Sequence, residues 1–140
     1  GSAFDPTAPP SGWGQGHRAL ARGLRRTLER AGLRPADVDL VVSGASGARD
    51  GDRLEAEVLH AAWEGAPLPP VAAPKAVTGE YGGGLLASAV LAAAGSRLGP
   101  GIGPIGPVGG APLPPPGVIL VTSLAAGGAG AWAVLGRGVE

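Results

Sequence analysis

Glycine and proline constrain this chain more than any other feature of its sequence. Together they supply 27 and 15 of the 140 residues, 30% of the chain. Spread evenly, such a load would indicate a low-complexity or disordered polypeptide, because neither residue supports the interior of a helix or strand. The load is not even: 14 of the 42 fall between Gly99 and Gly117. Glycines there are unevenly spaced, without the strict triplet that a collagen helix needs, so the stretch reads as a polyproline-like surface connector. The rest of the chain keeps a near-normal share of both residues. With 44% hydrophobic residues there is material for one domain with one core.

Periodicity locates the elements of that domain. Residues 1–16 carry Pro6, Pro9, Pro10, Gly12, Gly14 and Gly16 and predict an irregular N-terminal segment. From His17 the pattern becomes helical, with Leu20, Leu24, Leu28 and Ala31 three or four residues apart, and Gly32 and Pro35 stop it. Val38–Ser43 predicts a buried strand, and a second helix follows at about Asp52–Trp63. A strand is expected near Val71–Pro74. The Ala/Leu-rich stretch from Gly82 to Gly95 predicts a helix that is apolar nearly all round, hence buried on more than one side, and too short to cross a bilayer. Two last strands, Val118–Ser123 and Ala131–Leu135, flank a glycine-rich turn and should pair antiparallel. Helices alternating with short apolar strands indicate an α/β fold with a mixed sheet and helices packed on it. The domain is taken as 17–140, with 99–117 as its connector.

Charge and cysteine content exclude several classes. The formal net charge is zero, so no global field favours nucleic acid or membrane. The absence of cysteine removes disulfides, thiolate metal sites and a thiolate nucleophile. No signal peptide or long apolar span is visible, and a cytoplasmic location is the default expectation.

Three blocks, in chain order, resemble β-ketoacyl synthases, and among them the chain-length-factor type of type II polyketide synthases. Val38-Asp-Leu-Val-Val-Ser-Gly-Ala-Ser-Gly-Ala-Arg-Asp-Gly-Asp-Arg-Leu-Glu55 resembles a strand followed by His-Gly-Thr-Gly-Thr and Gly-Asp-x-x-Glu. Pro74-Lys-Ala-Val-Thr-Gly-Glu80, before Tyr81 and three glycines, resembles Lys-x-x-x-Gly-His ahead of a small-residue helix. Ser123-Leu-Ala-Ala-Gly-Gly128 resembles the terminal Ser-Phe-Gly-Phe-Gly-Gly turn. Thr7–Gly16 resembles the segment that leads into the second half of that family's fold. The resemblance implies the C-terminal half of a five-layered, thiolase-like arrangement of two α/β halves.

The departures from the family pattern bear on chemistry. A condensing enzyme of this kind needs a thiolate to carry the acyl chain and two imidazoles to stabilise the enolate oxygen formed on malonyl decarboxylation. Gly44 stands where the first histidine belongs, Glu80 where the second belongs, and Ala126 replaces an aromatic gate of the last turn. No catalytic residue is therefore assigned. Asp52, Glu55 and Lys75 persist and are expected to form a structural polar network. Arg18, Arg22, Arg25 and Arg26 lie on the first helix; a solvated face is the bland reading, and a patch for an acidic acyl carrier protein the functional one. A carrier protein would bring its phosphopantetheine arm, the one cofactor the resemblance implies, and that only indirectly. The only two histidines, His17 and His60, have no metal-ligand spacing, and Gly82–Gly84 lacks the surroundings of a phosphate cradle.

The resemblance thus implies a non-catalytic component, a pseudoenzyme that shapes the acyl pocket and completes a dimer with an active ketosynthase. Expected partners are a chain supplying the N-terminal half, the ketosynthase and a carrier protein, and a lone stable monomer is not expected. The alternative is half of a split but active synthase whose catalytic groups come from partner chains.

Overall fold

A computed structural model describes residues 1–75, 79–80, 85–87, 89–90, 93 and 116–136. Five strands form one mixed sheet: β1 (Ser2–Phe4), β2 (Leu40–Val42), β3 (Val71–Ala72), β4 (Val118–Leu124) and β5 (Ala129–Gly136). Their spatial order is β1-β5-β4-β2-β3. β2 runs parallel to both β3 and β4, while β5 is antiparallel to β4 and to β1. Two helices, α1 (His17–Arg30) and α2 (Arg49–Trp63), pack together on one face.

The leucine spacing of α1 produces its buried stripe: Leu20, Leu24 and Leu28 are at most 1% exposed. Each such side chain contributes about 1.5–3 kcal/mol on burial. The helix stops in a Schellman turn. Leu33 N–H donates to the Leu28 carbonyl at 3.0 Å and Gly32 N–H to Glu29 at 2.9 Å. Gly32 takes a left-handed φ of 72° that a side chain would disfavour.

Alternation along the central strands builds two cores. Val41, Leu120 and Trp132 point toward α1 and α2, joining Leu24, Leu54 and Val58. Leu40, Val42, Ile119 and Val121 point the other way, against Leu85 and Ala89. Of the helix expected over Gly82–Gly95, residues 85–87, 89–90 and 93 are helical; the others, and 99–115 of the connector, lie outside the described residues. The result is helices, sheet and helix in three layers.

The N-terminal segment differs from the expectation of irregularity. Ser2–Phe4 is an edge strand in register with Ala129–Ala131. Its three residues carry no strand pattern of their own; pairing with β5 organises them, and Gly23 lets α1 approach. A Cβ on Gly23 would sit 2.4 Å from that of Ala3.

Candidate functional site

The C-terminal ends of parallel β2 and β4 lie side by side, and the chain leaving β2 turns there into α2. In α/β sheets this edge is where ligands are ordinarily met. Two carboxylates on α2 shape the turn. Asp52 accepts from the backbone N–H groups of Ser46 (3.1 Å) and Gly47 (3.0 Å). Glu55, 4% exposed, accepts through Oε1 from Ser43 Oγ (3.0 Å), Gly44 N–H (3.1 Å) and Thr122 Oγ1. Burial pushes the Glu55 carboxyl above its ordinary pKa. The hydrogen bonds from Thr122, Gly44 and Ser43 oppose that shift without cancelling it, and the charge on Asp52 adds to it.

Gly44 sits where this turn presses against β4. A Cβ there would lie 2.9 Å from the Thr122 carbonyl oxygen and 3.1 Å from Ser123 Cα. Both obstacles are backbone, so they cannot swing away as a side-chain tip could. Beyond β3, Lys75 is buried and its ammonium donates to both oxygens of Glu80, at 3.0 and 2.9 Å. Ala126 is exposed in the β4–β5 turn, ahead of Gly127 and Gly128 at φ of 87° and 93°.

The expected network of Asp52, Glu55 and Lys75 is thus divided. The two acids hold the turn after β2, whereas Lys75 is taken by Glu80, five residues along the chain. Helix spacing places Asp52 and Glu55 one turn apart, but nothing in the spacing shows that their hydrogen bonds run to backbone and hydroxyls.

The arginines separate as well. Arg25 leaves the patch, forming an ion pair with Glu64 across the α1/α2 seam. Arg18, Arg22 and Arg26 are exposed and have no hydrogen bond or ion pair among the described residues. A groove of about 630 Å³ runs beside them, lined by His17, Arg18, Arg22, Arg25, His60 and Glu64 among others. His17 Nδ1 lies 3.6 Å from Glu57, and no group of metal-ligating residues occurs among the described residues.

Residues 7–96 match the sequence pattern of the β-ketoacyl synthase C-terminal domain. The chain belongs to the β-ketoacyl synthase family. It is 40% identical over 105 residues to the tetracenomycin polyketide synthase ketoacyl synthase beta subunit of Streptomyces glaucescens. That match covers 72% of this chain and 24% of the relative, so the chain spans about a quarter of that protein's length. An oxazolomycin ketosynthase domain of Streptomyces albus JA3453 shares the fold, with a TM-score of 0.67 and 22% identity, over 99% of this chain and 44% of that one. The architecture is accordingly the C-terminal half of the thiolase-like ketosynthase fold. In this half of the fold Gly44 is closed against β4, and Glu80 is paired with Lys75.

Three polar residues that the family motifs did not single out carry part of the local order. Thr122 and Ser43, side by side at the C-terminal end of the β2–β4 pair, supply hydroxyls to Glu55. Asp5, fully buried, accepts from Thr7 N–H (2.8 Å), Thr7 Oγ1 (2.7 Å) and Gly16 N–H (2.8 Å). Burial pushes this carboxyl up, but the bonds from Thr7 and Gly16 outweigh it and leave its pKa below the ordinary value. The Asp-x-Thr spacing of an Asx turn was the available signal. No helix among the described residues is long and apolar enough to cross a membrane.

Proposed function

We propose that this chain is part of a non-condensing, chain-length-factor-type subunit that shapes the acyl pocket of a polyketide ketosynthase complex. What supports the reading is the geometry at the two positions that the resemblance matches to the family's histidines. Gly44 offers no side-chain donor, and a Cβ there would press on the backbone of β4. Glu80 brings negative charge where an enolate oxygen would need a donor, and it is bound by Lys75. A carboxylate in that place would raise the barrier to decarboxylation rather than lower it.

A second observation supports assembly with the other half of the fold and, through it, with an active ketosynthase. Leu86 and Val90, one helical turn apart, are 74% and 59% exposed, while Leu85 and Ala89 face the sheet. Covering those two side chains contributes about 2–4 kcal/mol, which favours a partner. An acyl carrier protein is the third expected component.

The reading is tested by co-expressing the full-length protein with a ketosynthase and a carrier protein and measuring product length. Co-elution, with product length altered by volume-changing substitutions in this subunit, is the expected result. Failure to co-elute with any ketosynthase would overturn it.

A further inference from the structure

Lys75 is the one buried cation among the described residues, and its ion pair is unequal. The lysine side chain is 7% exposed and that of Glu80 is 55% exposed. The ammonium reaches both oxygens of the carboxylate, at 3.0 and 2.9 Å. Gly79 N–H closes the turn between them by donating to the Lys75 carbonyl at 2.9 Å, and Gly79 takes a left-handed φ of 76°. Glu80 can turn toward water and keep its hydration. Lys75 cannot, and without this counter-ion it would remain a buried charge. The fixed part of the pair is the ammonium, and the carboxylate is its occupant.

We propose that the Lys75 ammonium is a binding centre for a small carboxylate, filled in this chain by Glu80. The inference rests on this pair and does not depend on the pocket-shaping reading. The bonding indicates the ligand class. Two oxygens of one planar group meet one ammonium, so the space that Glu80 fills has the shape of a carboxylate and opens on its exposed side. The buried acids are held differently. Asp5 and Glu55 accept from backbone N–H groups and hydroxyls that belong to the surrounding turns. Only the Lys75 site takes its second partner from a half-exposed side chain. A tether of five residues gives Glu80 an effective concentration of about millimolar or more, so a free acid competes poorly while Glu80 is present.

The test is thermal unfolding of the full chain at neutral pH, in sodium acetate and in sodium chloride of equal ionic strength. Glu80→Ala vacates the place, Glu80→Gln fills it with a neutral amide, and Lys75→Met/Glu80→Ala removes the ammonium as well. In chloride, Glu80→Ala should melt at least about 5 °C below the parent. Acetate at about 0.2 M should recover half or more of that loss. The parent, Glu80→Gln and the double variant should show no acetate-specific shift, and calorimetric titration should detect acetate binding to Glu80→Ala alone. Where Glu80→Ala does not fold in chloride, circular dichroism regained in acetate is the same readout. Equal recovery by chloride or by phosphate, an acetate effect that survives the loss of Lys75, or no acetate-specific recovery in Glu80→Ala would each overturn the proposal.

Discussion

Placing a histidine at Gly44 should destabilise the fold. An alanine there isolates the reason. Replacing glycine by alanine at a compatible site stabilises by about 0.4–1 kcal/mol, because the unfolded chain loses freedom. Here the added Cβ meets the Thr122 carbonyl oxygen at 2.9 Å and Ser123 Cα at 3.1 Å. Forcing backbone apart in a packed region costs about 1–3 kcal/mol. The clash therefore wins, and Gly44→Ala should be less stable by about 1–2 kcal/mol, or about 5 °C in Tm. Gly44→His shares the same Cβ and should be at least as unstable. Gly136→Ala, where a Cβ meets nothing within 4 Å, should stay within about 0.5 kcal/mol. Thermal and urea unfolding of the three variants provide the assay. A Gly44→Ala protein as stable as the parent would refute the reasoning, because β4 would then not close the position.

Further outcomes follow from the same geometry. Glu55→Ala should cost about 2–4 kcal/mol, since the Gly44 N–H and two hydroxyls lose their acceptor; urea unfolding measures it. Glu55→Gln keeps an acceptor without the buried charge. Because the folded-state pKa of Glu55 is raised, the parent loses stability as pH rises through that range, so the advantage of the Gln variant should grow from pH 4 to pH 7. Asp5 has the opposite sign: its lowered pKa means that stability is lost as pH falls below about 4, and Asp5→Asn should flatten that acid limb in a Tm–pH series. Leu86→Asp with Val90→Asp should abolish co-elution with partner chains while leaving the Leu24–Trp132 core intact by near-ultraviolet circular dichroism.

Much of the fold was legible because its signals are local. The leucines of α1, the alternation in β4 and the glycine stop at Gly32 all depend on neighbours in sequence. β1 was not legible, because Ser2–Phe4 becomes a strand only through residues more than 120 positions away. The site was legible as a set of positions and not as a set of bonds. The motif spacing located Gly44, Asp52, Glu55, Lys75 and Glu80, but it grouped Lys75 with Asp52 and Glu55. The pairing of Lys75 with Glu80 depends on how the chain turns after β3. The closure of Gly44 depends on the register of β2 against β4, in which Val42 faces Val121. In the same way, the four arginines singled out on α1 looked equivalent until Glu64, a left-handed residue at the end of α2, engaged Arg25.

The central claim is that this chain contributes no chemical group to condensation. It is tested most directly in the assembled complex, supplied with malonyl-loaded carrier protein, by comparing the condensation rate of the parent with Glu80→Ala and Lys75→Ala. The account predicts that condensation persists in both variants, with any change confined to product length or complex stability. A collapse of condensation while the complex stays folded and assembled would contradict it.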